Sequence, residues 1–178
     1  MTNRVRTLAV AAAMLLPTVS FAQDSARPFG QGSRLLSLGI MTGGDYDGFG
    51  GGASFEVGVI NFTPALSLGV GGMIGYLRES EGRFSVSAMP IMAIGNVHLA
   101  LPAQPKLDLY GGLSIGVVRV SSDGCDALPG IPCDDSRSDS GLGLQIGARY
   151  AMTPRASLMG QLGFSDIPLL YAGVSFKF

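Results

Sequence analysis

Apolar residues fall on alternate positions along most of the chain. Leu36, Leu38 and Ile40 alternate with Ser37, Gly39 and Met41. Phe55, Val57 and Val59 alternate with Ser54, Glu56 and Gly58, and Leu66, Leu68, Val70, Ile74 and Tyr76 with Ser67, Gly69, Gly71, Met73 and Gly75. The pattern returns in Leu107, Leu109, Leu113, Ile115 and Val117, in Leu142, Leu144, Ile146, Ala148 and Tyr150, and in Ala156, Leu158, Leu162 and Phe164. It ends with Leu170, Ala172, Val174, Phe176 and Phe178. A period of two puts one set on each face of a β-strand. One segment changes phase: Phe84, Val86 and Ala88 open it, and Val97, Leu99 and Leu101 close it. Pro90 lies between the phases and cannot donate to a ladder, so a bulge is expected beside it. Eight strands result, most near the 9–11 residues of a tilted membrane strand.

The connections alternate in length. Asn61 to Pro64, Pro102 to Pro105, and Thr153-Pro154 are short and carry prolines where strands stop. Gly43 to Gly51, Arg78 to Arg83, and Ser121 to Ser140 are expected to be longer polar loops, and Ser165 to Pro168 a short one. Short turns at one end and longer loops at the other fit an all-β, eight-stranded antiparallel up-and-down transmembrane β-barrel. An even strand count places both termini on the short-turn side, expected to be the periplasm.

Composition decides between a soluble and a membrane barrel. Mean hydropathy is +0.37 and only 14% of residues are charged, against about 25% in soluble proteins. No mature segment approaches the roughly 18 consecutive apolar residues of a transmembrane helix. A closed barrel reconciles the two, because its apolar residues are spread over alternate positions. The Gly/Ser face carries Glu56, Asp108, Arg149 and Lys177 as its clear strand charges. That is too few for a wet surface. It suits a lining in which two acids balance two bases, with Asp108 and Arg149 expected to pair inside. Arg119 falls on the apolar phase near an outer strand end, where its head group can snorkel. Inward glycines fit the narrow interior of eight strands, which side chains just fill. Phe62, Tyr150, Phe176 and Phe178 are expected at one rim, and Tyr76, Phe84 and Phe164 at the other, as interfacial girdles.

The beginning of the chain reads as an export signal. Arg4 and Arg6 precede the apolar run from Leu8 to Val19, and Ser20-Phe21-Ala22 is a small-x-small cleavage site. Residues 1–22 are therefore expected to be a cleaved signal peptide, and residues 23–178 a single barrel domain.

The strand pattern and its aromatic end, Leu170, Ala172, Val174, Phe176 and Phe178, resemble the small eight-stranded outer-membrane barrels, the superfamily of the OmpA transmembrane domain, OmpX and OmpW. The resemblance covers the mature chain. It implies a bacterial outer-membrane location, with the C-terminal set read as an assembly signal by the outer-membrane assembly machinery. Other expected partners are outer-membrane lipids, lipopolysaccharide, and host or cell-surface ligands. No periplasmic peptidoglycan-binding domain follows the barrel, so OmpA-like wall anchoring is not expected.

Candidate chemistry is sparse. Cys125 and Cys133, in CDALPGIPC, are the only cysteines. In an exported chain they are expected to form a disulfide, stabilising by about 2.5 kcal/mol through chain entropy. Asp123, Asp126, Asp134 and Asp135 make the same loop acidic. They are weak candidates for a divalent cation, and the expected reading is a solvated acidic loop with no metal or cofactor. His98 is the only histidine and is expected to be a satisfied polar residue near the barrel rim. Lipid A deacylases of similar size have a His two residues before the Ser, whereas Leu99 and Ala100 follow His98. The glycine-rich run from Met41 to Gly52 lacks the lysine of a phosphate loop. No basic patch suits nucleic acid. The expected function is non-enzymatic: envelope integrity and loop display. The alternatives are a narrow small-solute channel and, behind it, a lipid A-modifying enzyme.

Overall fold

The computed structural model describes residues 28–43, 48–81, 84–123, 136–166 and 168–178. Among them, eight strands follow in order: β1 (Arg34–Thr42), β2 (Phe49–Asn61), β3 (Leu66–Glu81), β4 (Phe84–Leu101), β5 (Gln104–Asp123), β6 (Arg137–Ala151), β7 (Ala156–Ser165) and β8 (Leu170–Lys177). Each pairs antiparallel with the next. β8 then pairs with β1 and closes the barrel. Closure leaves no edge strand, so every ladder in the wall has two neighbours.

The alternation sorts onto two faces. Leu38, Ile74, Leu113, Ile115, Leu144 and Leu162 point outward and are exposed, while Ser37, Met73, Ser114, Gln145 and Gln161 point inward and are buried. This is a membrane barrel's distribution, with an apolar belt outside and a mixed lining inside. Phe62, Tyr150, Phe176 and Phe178 are exposed towards the short-turn end, and Phe49, Tyr76 and Phe164 towards the other. Arg119 lies on the outward phase beyond Val117 and is exposed.

Two expectations need correction. The pairing of β4 with β3 lapses around Pro90, between Ile74↔Ile91 and Leu77↔Ala88, but the register is the same on both sides. On β5 the register runs unbroken through Pro90↔Val118. The proline therefore costs ladder bonds without inserting a residue, and no bulge forms there. Shifts occur instead at Ala100/Leu101 and Gly58/Ile60. Ala88, Pro90, Met92, Ile94, Asn96 and His98 all lie on one inward face. Ala88 thus belongs to the lining and not to the exterior set. What changes along β4 is the chemistry of the interior, apolar in one half and polar in the other.

The second correction concerns the wall's height. β3, β4 and β5 have 16, 18 and 20 residues, well beyond the roughly 10 that cross the hydrocarbon. Arg78 to Glu81, expected in a loop, continue β3, and β5 runs on to Asp123. This side of the barrel is a raised hairpin wall.

Before β1, Pro28 to Ser33 folds back into the short-turn mouth. Gly32 N donates to Gly58 O (2.8 Å), Gly58 N to Ser33 O (2.9 Å), and Gln31 N to Asn61 Oδ1 (2.9 Å). Gly32 has φ 81°, a left-handed conformation that glycine adopts without strain. It lets the strap turn into β1 and carries Phe29 inside the barrel, where it is 2% exposed.

Candidate functional site: the barrel interior

The polar half of the lumen is built from inward positions of β2, β4, β5 and β6. Glu56 lies at its centre. Its Oε1 accepts from Asn96 Nδ2 (2.9 Å) and contacts His98 Nε2 (2.8 Å); its Oε2 accepts from Arg149 Nη2 (2.8 Å). Asp108 faces the same two bases, with His98 Nδ1 at 3.0 Å and Arg149 Nη1 at 3.3 Å from Oδ2. Glu56, Arg149, Asp108 and His98 thus form a closed ring. All four are at most 4% exposed. Carboxylates withdrawn from water this far require such partners, since a buried charge without one is costly.

Aromatic rings and amides frame the ring of charges. Phe29 stacks on His98 with centroids 3.8 Å apart, and the Tyr110 ring lies 5.5 Å from that of His98. The Arg149 guanidinium sits 4.2 Å over the Tyr110 ring, a cation–π contact. Tyr110 OH donates to Gln161 Oε1 (3.1 Å), and Gln145 Nε2 to Asn96 Oδ1 (2.7 Å). Glycine makes room for these groups. A Cβ at Gly69 would strike Glu56 and Phe29, and one at Gly147 would strike the Tyr110 ring.

Towards the long-loop end the lining turns apolar. Met41, Met73, Leu77, Met92, Ile94, Met159 and Tyr171 form one buried cluster, and Ala88, Val118 and Val120 another. Methionine suits a narrow irregular lumen, because its unbranched side chain fits gaps of varied shape. Tyr171 OH donates to the carbonyls of Ser37 (3.1 Å) and Gly52 (3.3 Å), and the Ser37 and Ser175 hydroxyls meet at 2.8 Å. The polar ring and this apolar layer fill successive stretches of the interior.

Of the four charged lining residues read from the sequence, Glu56, Asp108 and Arg149 meet in the ring. Lys177 stands at the short-turn mouth, where its Nζ donates to Pro28 O at 3.4 Å. Leu170, Val174, Phe176 and Phe178 are exposed on the outer face of β8 and its end, with half-buried Ala172 among them. Cys125, Cys133, Asp126, Asp134 and Asp135 lie outside the described residues, as do residues 1–27 with the expected export signal; Asp123 ends β5. His98 is a satisfied polar residue near the short-turn end of β4, opposite Ser67, as expected, but it is 1% exposed and closes the network. Its inward face follows from Val97 and Leu99 on either side, but its bonds to Glu56 and Asp108 and its cover by Phe29 leave no sign in the spacing. Among the described residues no cluster of three or more His, Cys, Asp or Glu is arranged to hold a metal ion.

The fold and the apolar belt meet known proteins at this point. The outer membrane protein beta-barrel domain model matches residues 8–177. The chain belongs to the outer-membrane β-barrel family. Its fold is similar to that of Ail, the attachment invasion locus protein of Yersinia pestis, at 14% identity and TM-score 0.55, covering 83% of this chain and 99% of Ail. Ail has also been solved in complex with the heparin analogue sucrose octasulfate. OprG of Pseudomonas aeruginosa is similar at 11% identity and TM-score 0.53, over 86% of this chain and 98% of OprG. The N-terminal β-barrel domain of OprF from the same organism is similar at 17% identity and TM-score 0.51, over 84% and 100%. Such likeness is one of fold. No curated protein matches the chain significantly.

Proposed function

We propose that this protein is a closed outer-membrane barrel whose work is done at its surface: it contributes to envelope integrity and displays its long-loop end to ligands. The observation that carries this reading is the filled lumen. The Glu56–His98–Asp108–Arg149 ring and the methionine layer occupy the space that a channel would need. Eight strands leave little more than room for side chains, whereas water-filled porins use about 16–18. In this reading the termini and short turns are periplasmic, the long loops are extracellular, and residues 1–22 are removed on export. The C-terminal set from Leu170 to Phe178 addresses the assembly machinery, and the belt contacts outer-membrane lipid and lipopolysaccharide. A Cys125–Cys133 disulfide braces the longest loop.

A non-enzymatic role is supported by the state of His98. Both its ring nitrogens face carboxylates, and its ring is stacked by Phe29. It has no free nitrogen to offer a substrate. Planar-bilayer recording tests the reading. A silent barrel with native heat-modifiable migration is expected, and reproducible single-channel steps would replace it with the channel alternative.

A further inference from the structure

The short-turn mouth holds a cavity of about 660 Å³, within the size range of pockets for small organic ligands. Its apolar lining comes from strand ends, the strap and the β6–β7 turn, with Leu35, Pro105, Ala151, Met152 and Phe178 among it. Among the described residues its charged side chains are Lys106, Arg149, Arg155 and Lys177, with Asp108 as the acidic one. The four cations come from β5, β6, the β6–β7 turn and β8. Asp108 and Arg149 spend their charges within the ring with Glu56 and His98, so the positive charge that the argument uses at the mouth is that of Lys106 and Arg155. Arg149 gives Nη1 and Nη2 to the two carboxylates, and its Nε is buried out of reach of the cavity.

We propose that the mouth is a binding site for a small oxyanion, a carboxylate or phosphate carried on an organic group. Arg155 supplies charge from the exposed β6–β7 turn and Lys106 from the exposed start of β5, Arg155 with a fork that matches a two-oxygen anion. Lys177 stands at the edge with its contact to Pro28 and is not needed for the argument. The apolar walls take the rest of the ligand. That the anion arrives from the periplasm rests on the proposed orientation, but binding itself does not. Labelling of an Ala103→Cys variant in intact cells reads the orientation separately.

The test is calorimetric titration of the full chain, refolded in zwitterionic detergent at low salt. The probes are inorganic phosphate, N-acetylalanine, and N-acetylalanine amide as the uncharged control. Saturable binding of phosphate or N-acetylalanine is expected, and none of the amide. Arg155→Gln and Lys106→Gln should each weaken binding by about tenfold, while Arg137→Gln, at the long-loop end, leaves it unchanged. Both substituted residues are exposed, so heat-modifiable migration should be native and confirm that the barrel is intact. Binding of phosphate alone marks a phosphate-bearing ligand, and binding of N-acetylalanine a peptide-type carboxylate. No saturable binding of either anion, or binding that survives both substitutions, overturns the proposal.

Discussion

Arg149 on β6 reaches across the lumen to Glu56 on β2, Nη2 to Oε2 at 2.8 Å, while its Nη1 lies 3.3 Å from Asp108 on the adjacent β5. β2 and β6 are not neighbours in the wall, so this contact ties opposite sides of the barrel. Replacing Arg149 with Met would leave two buried carboxylates facing one imidazole. The expected cost is about 3–5 kcal/mol, read as a lowered urea midpoint for the folded gel species. The triple replacement Glu56→Gln, Asp108→Asn, Arg149→Met should recover part of that loss, since residues sharing one network are not additive. A triple variant weaker by the full sum of its single variants would show that the ring is not a unit.

His98 closes the ring from its other side, and its place there is structural. His98→Ala is expected to destabilise the barrel by about 3 kcal/mol or more, from two bonds to charged groups and the stacking of Phe29. Mass spectrometry of lipid A from cells carrying either form should give identical spectra. An acylation difference that depends on His98 would restore the enzyme reading.

Glycines in the wall separate into those that must be glycine and those that need not be. A Cβ at Gly112 would strike the backbone of Gly95 and the side chain of Asn96, whereas one at Gly95 would meet nothing within 4 Å. Gly112→Ala should therefore lower the folded fraction markedly, and Gly95→Ala should leave it within about 0.5 kcal/mol of the native chain. Equal effects in the urea titration would count against the described register of β4 and β5.

The strap before β1 offers a separate test. A Cβ at Gly58 would run into the carbonyl of Gly30, where the strap bonds to β2. Gly58→Val is expected to displace Pro28 to Ser33 and uncover Phe29, His98's stacking partner. Limited proteolysis of the refolded barrel should then cut near this strap faster than in the native chain, with the barrel core intact. An unchanged cleavage rate would mean that the strap does not depend on Gly58.

The wall was legible in the sequence because its signal is local. Leu142, Leu144 and Ile146 declare a strand and its outer face by spacing alone, and closure of eight such strands follows from the need to satisfy every backbone group in lipid. The interior was legible only in part. Glu56, Asp108 and Arg149 stand out as charges on a bland face, but periodicity gives a residue's face and not its height or its partner across the lumen. Ala88 was misassigned because Met92 and Ile94 on the same inward face look like exterior residues. The apolar methionine layer erases the contrast on which the phase reading depends. Phe29 carries no periodic signal, since it lies in the strap and not in a strand.

The phase of the strands underlies all of this, and β6 tests it most directly. Leu144 is 56% exposed on the outer face and Gln145, its neighbour in sequence, 2% on the inner one. With Cys125 and Cys133 replaced by Ser, the Leu144→Cys variant can be reconstituted in bilayers and treated with a water-soluble maleimide, with Ala103→Cys in an exposed turn as the positive control. The expected result is rapid modification of the turn variant and none of Leu144→Cys until a lipid-soluble maleimide is supplied. Rapid modification of Leu144→Cys by the water-soluble reagent in intact bilayers would contradict the lipid-facing assignment and the account built on it.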